Sequence, residues 1–393
     1  MASRKRMSKA NVLYLSYDGL TDPLGQSQVL PYLCGLADEY SITVVTFDKP
    51  DQYEKKKNEL EAICRQYDIR WISLTYRRQP PVVSTVWALM KLRRLADRLH
   101  REKKIDIVHC RSYLTALVGL GLKHTQGVKF IFDMRGFWAD ERVEGGLWNR
   151  NNPVFNAIYR FFKQKEKVFL TEADHTISLT ENARREILSW NLNPAPITVI
   201  PTCVDMTLFD PAKLTETQKR EKRSALGIAP GDFVLLYLGS WGTWYMTNDM
   251  LAFFTALKAQ KSNAKFLIIT QDKIDLHQYP HREDVIMRPA ARPEVPLYIG
   301  LSDAAIFFIL PSFSKKASSA TKMGEIMAMN VPVITNPGWG DAESIIRKAG
   351  GYLADGPFPF ESLAPVQSRD YCEQYLSLKQ GVLTYKSVYK KLL

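Results

Sequence analysis

The run Ser314-Lys-Lys-Ala-Ser-Ser-Ala-Thr-Lys-Met-Gly-Glu-Ile-Met-Ala-Met-Asn-Val-Pro-Val-Ile334 concentrates side chains that can do chemistry. Ser318, Ser319 and Thr321 are residue types that cap helix N-termini, which predicts a helix starting near Thr321. A helix start offers N–H groups without internal partners and the positive end of the dipole. Lys315, Lys316 and Lys322 place cations beside it. Amides and cations together are the chemistry of diphosphate binding. Glu325 lies about one turn further on, placed to accept hydrogen bonds from two neighbouring ribose hydroxyls once the phosphates are held at the helix tip.

Other segments offer polar groups at strand ends. Asp18–Gln28 is a predicted loop of about ten residues, longer than a plain connection requires. Its glycines, Gly19 and Gly25, let the backbone come close to a ligand. Asp133-Met-Arg-Gly-Phe-Trp-Ala-Asp-Glu-Arg142 sets charges beside a glycine, with Asp133, Arg135 and Asp140 as candidates and Glu141 behind them. His109 and Arg111 end the preceding predicted strand. In Gly239-Ser-Trp-Gly242, Gly242 permits close backbone contact, whereas Trp241 and Trp244 read as packing residues. Arg288 opens the loop after another predicted strand.

The elements that must position these groups alternate. Val12–Tyr17, Ile42–Phe47, Ile69–Leu74, Ile105–Cys110, Lys129–Asp133, His175–Leu179 and Ile197–Ile200 read as strands. Gln28–Asp38, Glu54–Gln66, Ser84–Lys103 and Pro153–Leu170 between them have helical apolar spacing. Turn-rich Pro201–Pro211 and the charged stretch Lys213–Arg223 mark a boundary. A second series follows, with strands at Phe233–Gly239, Lys265–Thr270, Val285–Met287, Ala304–Phe308, Val331–Thr335 and Gly351–Leu353. The fold class is therefore α/β: two doubly wound parallel-sheet domains, residues 1–203 and 204–368, with a tail helix over 369–393. Ligands of such sheets sit at the carboxyl ends of the strands, so a cleft between the domains is the expected site.

Composition excludes several classes. The 393 residues carry 53 Lys and Arg against 41 Asp and Glu, a net charge of +12. Nucleic acid, an anionic membrane or phosphorylated small molecules would all suit that sign. No nucleic-acid-binding module is present, so nucleic acid is not an expected partner. There is no GxxxxGK[ST], no GxGxxG after a strand, no GxSxG and no HExxH. No Asp-x-Asp pair and no His cluster offers a metal handle, so no metal and no cofactor are expected. The basic start Met1–Lys9 leads into Asn11–Ser16 without a signal-type apolar run, and five scattered cysteines lack any CxxC. A cytoplasmic location is expected. Ser84–Lys104 and Pro153–Leu170 are basic and amphipathic, which keeps open a peripheral place on the inner face of a membrane with an anionic surface as partner.

Taken with Gly239–Tyr245 and Ile200-Pro-Thr-Cys-Val-Asp205, the run Ser314–Ile334 resembles retaining glycosyltransferases of the GT-B fold, family 4 type. It is most like a bacterial surface-polysaccharide subgroup carrying S-K-K-A-S-S-P-T-K-x-G-E. The resemblance implies a nucleotide-sugar in the second domain, of the UDP or GDP type, and a glycan or lipid-linked acceptor in the first. It implies a tail helix crossing back to the first domain. It implies donor-phosphate contacts from Gly25, Gly242, Lys315, Lys316, Ser318, Ser319, Thr321 and Lys322, and ribose or base contacts from Glu325 and Arg288. Catalytic roles fall to Lys322, Asp133, Arg135 and Asp140. The chain departs from the pattern at Ala317, where the family has a first glutamate, at Ala320, where the subgroup has proline, and in Ser240–Tyr245, which lacks the usual Arg and Lys. An epimerase or hydrolase on the same frame, or a non-catalytic binding subunit, are the alternatives.

Overall fold

The computed structural model describes residues 9–393, so the basic run Met1–Ser8 lies outside the described residues. The chain divides into two units, residues 1–201 with 381–393, and residues 202–380. The division thus falls two residues before the expected boundary. The segment 369–380 belongs to the second unit, and only 381–393 returns to the first.

The first unit runs β1 (Ala10–Ser16), α1 (Pro23–Gln28), α2 (Leu30–Leu36), β2 (Tyr40–Asp48), α3 (Pro50–Gln66), β3 (Arg70–Thr75), α4 (Val83–Glu102), β4 (Ile107–Arg111), α5 (Ser112–Gln126), β5 (Lys129–Asp133), α6 (Trp138–Glu144), α7 (Pro153–Glu172), β6 (His175–Ser178), α8 (Glu181–Leu188) and β7 (Ile197–Val199). Its sheet has the order β3-β2-β1-β4-β5-β6-β7 and every pairing is parallel. The inner strands β4 and β6 are buried along their whole length and β1 and β5 along most of theirs, as a helix-covered parallel sheet requires, while the edge strands β3 and β7 are half-exposed. In α4 the covering face is Leu92, Leu95, Ala96 and Leu99, spaced three and four apart and buried. Truncating one such leucine would cost about 2–5 kcal/mol.

The second unit runs α9 (Glu216–Ala225), β8 (Phe233–Leu238), α10 (Thr247–Gln260), β9 (Ala264–Ile269), β10 (Val285–Arg288), α11 (Val295–Gly300), β11 (Ala304–Ile306), α12 (Thr321–Ala328), β12 (Val333–Thr335), α13 (Ala342–Ala349), β13 (Tyr352–Leu353) and α14 (Arg369–Tyr371). A last helix, α15 (Leu378–Leu392), starts in this unit and ends in the first. The strand order is β10-β9-β8-β11-β12-β13, again all parallel. In each sheet the winding reverses beside the first strand, between β1 and β4 and between β8 and β11. Such switch points are where open α/β sheets bind ligands.

The expected loop Asp18–Gln28 is shorter than predicted, because Pro23 starts a helix at Pro23–Gln28. A Cβ on Gly25 would strike the carbonyl of Gly19 and the backbone of Leu20. Packing within its own loop therefore already demands glycine there.

Candidate functional site

At the switch point of the second sheet the chain buries a lysine among aromatic rings. Lys322, one residue into α12, is 7% exposed. Its Nζ lies 3.8 Å from the ring centroid of Tyr245, 4.5 Å from Tyr237 and 5.6 Å from Phe307. These rings come from β8, the loop after β8 and the residue following β11, so the sheet itself fixes the cage. Ring faces attract a cation, but they do not replace its hydration. Burial therefore pushes the ammonium down to about 7, with Glu325 acting in the opposite direction. A Cβ on Gly239 would come within 2.6 Å of that Nζ, and Gly239 has φ +123°. Only glycine leaves the amine its place at the carboxyl end of β8.

The lysines of the 314–322 run divide. Lys315 is buried with its Nζ 3.7 Å from the Trp244 ring, whereas Lys316 is exposed beside Phe313. The loop that lacks the family's basic residues thus supplies the aromatic supports, Trp244 and Tyr245, for lysines arriving from elsewhere. The expected capping by Ser318, Ser319 or Thr321 does not occur. The N-cap is Ala320, whose side chain cannot accept, and no side chain caps α12. Ser319 instead bonds Thr202, whose N–H donates to the Ser319 Oγ at 3.1 Å. Ser318 ends the preceding 3-10 turn. Gly242 has φ +102° with nothing near its missing Cβ, leaving its backbone open on that side.

Glu325 is buried, and Arg292 donates to its Oε1 at 2.8 Å. Burial pushes the carboxyl up, and Arg292 and then Lys322 pull it back only in part. Arg292 had no signal in the sequence beyond its charge, since 33 residues separate the partners. Arg288 is exposed and donates to the carbonyl of its neighbour Met287. Of the two arginines in that stretch, Arg292 and not Arg288 touches the ribose candidate.

In the first unit a second constellation forms at the carboxyl ends of β4 and β5. Asp133 is fully buried; its Oδ2 lies 3.3 Å from His109 Nε2 and its Oδ1 3.7 Å from Arg135 Nη1. Tyr385 donates to Oδ2 at 3.4 Å, and Tyr389 meets His109 Nδ1 at 2.7 Å. Burial would raise the Asp133 carboxyl, yet Arg135, His109 and Arg111 hold it below its usual value. Burial also lowers His109, which favours the neutral imidazole, while Asp133 acts in the opposite direction. A carboxylate only accepts, which puts a proton on Nε2; in the neutral ring Nδ1 then accepts from Tyr389. Arg135 has φ +57°, a strained conformation for a side-chain-bearing residue. Arg111 Nε and Nη1, Arg135 Nε and Asp133 Oδ1 are buried and make no hydrogen bond within the described residues. Asp140 belongs to a different set: it accepts from Tyr159 and Lys163, each at 2.8 Å, and Lys163 also holds buried Glu166. That set ties α6 to α7, a structural task. No group of three His, Cys, Asp or Glu among the described residues could hold a metal ion.

Comparison with known proteins bears on the fold that carries these groups. Residues 32–208, less than half of the chain, match the family described as Glycosyltransferase Family 4. A D-inositol 3-phosphate glycosyltransferase of Kineococcus radiotolerans is 23% identical over 263 residues, 60% of this chain; the chain spans about half the length of that relative, 54%. Among solved structures, a sucrose-phosphate synthase of Thermosynechococcus elongatus superposes with TM-score 0.71 at 14% identity, covering 98% of this chain and 99% of its own. HepE of Anabaena, in complex with UDP and glucose, gives TM-score 0.71 at 13% identity, covering 97% and 100%. The two parallel-sheet units therefore have the GT-B fold, and residues 32–208 are similar to Glycosyltransferase Family 4.

Proposed function

We propose that the chain transfers a sugar from a nucleoside-diphosphate sugar to a hydroxyl of a glycan or lipid-linked acceptor, with retention and without metal. The observation that carries the reading is the cage at α12: a buried lysine at the sheet's switch point, beside a helix tip that no side chain caps. The donor is read as a UDP-sugar, because HepE is described with UDP and glucose. A cytoplasmic enzyme of surface-polysaccharide or glycoconjugate synthesis fits such a donor.

In this mechanism the bond between the anomeric carbon and the diphosphate oxygen breaks, and the acceptor oxygen bonds to that carbon on the same face. The leaving diphosphate takes the acceptor's proton. Lys322, Lys315 and the amides at the α12 tip stabilise the charge that develops on it, a fixed electrostatic arrangement in place of a metal. Glu325, oriented by Arg292, accepts from the ribose hydroxyls. Arg111 and Arg135 give the acceptor wall its positive charge from beneath, with Asp133 beside Arg135 and Asp18 beside Arg111. Removing one such charge-stabilising donor costs about 10²–10³ in rate. Lys322→Ala should therefore lower kcat by about that factor, measured as transfer from UDP-sugars to glycan and lipid-linked acceptors with EDTA present. An unchanged kcat would remove Lys322 from the mechanism, and loss of wild-type transfer to EDTA would remove the metal-free reading.

A second reading, a non-catalytic GT-B subunit, draws on Ala317, which is buried where the resemblance calls for a carboxylate. It requires nucleotide-sugar binding with no turnover, and product analysis with and without acceptor separates it from transfer, hydrolysis and epimerisation.

A further inference from the structure

The first unit exposes large apolar side chains on two helices that share one edge of its sheet. On α4 these are Val83, Val86, Trp87 and Met90, spaced so that they form one stripe; Trp87 is 70% exposed. Val82 extends the stripe into the preceding turn. On α7 they are Val154 and Phe161, with Leu147 ahead of the helix. The apolar spacing of α4 thus serves two purposes along its length. Its second half turns Leu92, Leu95, Ala96 and Leu99 to the core, while its first half turns its stripe outward.

Topology brings the two stripes together. Every strand is parallel, so a helix that connects one strand to the next begins at the carboxyl edge of the sheet. Helix α4 runs from β3 to β4, and α7, the second helix between β5 and β6, ends just before the start of β6, so its first half points back toward the carboxyl edge; both pack against α5, which places all three in one layer. Arg93 of α4 fixes this arrangement by donating to Thr125 of α5 at 2.7 Å. The exposed halves of α4 and α7 therefore lie at the same edge, where Asp133 and Arg135 also sit.

The charge around the stripes is mainly basic, with exposed Glu144 ahead of Leu147 the acid beside the α7 stripe. From Leu74 to Ala96 the chain has five basic residues and no acid, and from Gly145 to Lys165 four basic residues and no acid. Arg77, Arg78, Lys91 and Arg94 are exposed around the α4 stripe, and Arg150 and Arg160 around α7. An apolar stripe with Trp and Phe, fringed mainly by cations, complements a surface that is apolar beneath and anionic at its boundary. We infer that this edge of the first unit docks on an anionic phospholipid bilayer through Val83, Val86, Trp87 and Met90, with Phe161 as a second point. The inference does not depend on the transfer chemistry and would stand if no transfer were found.

Flotation of the full chain with phosphatidylcholine vesicles and with vesicles of phosphatidylcholine and phosphatidylglycerol in a 70:30 ratio tests it. Binding is expected to the anionic vesicles, and to fall as salt rises. Trp87→Ser with Met90→Ser should weaken it about tenfold or more. Each cation removed among Arg77, Arg78, Lys91 and Arg94 should weaken it about fivefold. These side chains are exposed, so the variants should melt at the wild-type temperature, which rules out misfolding as the cause. Absence of binding, equal binding to both vesicle types, or wild-type binding by the Trp87 and Met90 variant would each overturn the proposal.

Discussion

Lys322 and Glu325 sit three residues apart on one helix, and burial pushes both toward their neutral forms. The chain answers the two costs differently. Lys322 receives ring faces, which stabilise a cation without donating or accepting a proton, whereas Glu325 receives a guanidinium. Glu325→Gln keeps the shape but leaves Arg292 without its carboxylate, and it weakens each bond accepted from a ribose hydroxyl. Bonds to a charged acceptor contribute about 1.5–3 kcal/mol, so UDP affinity should fall about tenfold or more. Calorimetric titration measures this, and an unaltered affinity would argue against the ribose assignment. At this scale the sequence was half legible. Lysines beside a predicted helix start announce anion chemistry by type and spacing alone. Tyr237, Tyr245, Phe307 and Arg292 do not, because each reaches the site from a different element, and an aromatic residue in a strand reads first as core. Trp244, in the loop after β8, reads as packing from its residue type.

At the scale of elements, β8 and α12 depend on each other through one glycine. Gly239→Ala would strain the backbone at φ +123° and push against the Lys322 amine. The strain costs about 1–3 kcal/mol. Thermal denaturation should show that loss, and UDP binding should weaken with it as the amine leaves its cage. Lost stability with intact UDP affinity would mean that the cage is not where the diphosphate binds. The strands were read nearly to the residue, since a doubly wound sheet needs short β-branched runs buried on both faces. Helix α5 was not read, because its apolar residues run around most of the helix and it contains Gly119 and Gly121. Those glycines have a packing cause: a Cβ on Gly119 would strike Cys110 and Phe130, and one on Gly121 would strike Arg93. The cap of α12 was misread because Ser319 is committed to Thr202.

At the scale of the whole molecule, two doubly wound units are legible from alternation and the boundary from the turn-rich stretch after Ile200, to within two residues, whereas the outward stripe of α4 is not. Periodicity shows that a helix has an apolar face but not which half of it meets the sheet. The charge state of the protein is coupled to its ligand through Lys322. The free amine titrates near 7, and a bound diphosphate favours its protonated form, so binding above pH 7 must take up a proton. Affinity for UDP should therefore weaken as pH rises above 7, approaching about tenfold per pH unit. Calorimetry of UDP binding at pH 8 in buffers of different ionisation enthalpy counts that proton directly, for the wild type and for Lys322→Met. The variant replaces a buried cation with an apolar side chain and should fold at least as well. The account predicts uptake approaching one proton per UDP in the wild type and none in Lys322→Met. No uptake in the wild type, or the same uptake in both proteins, would contradict it.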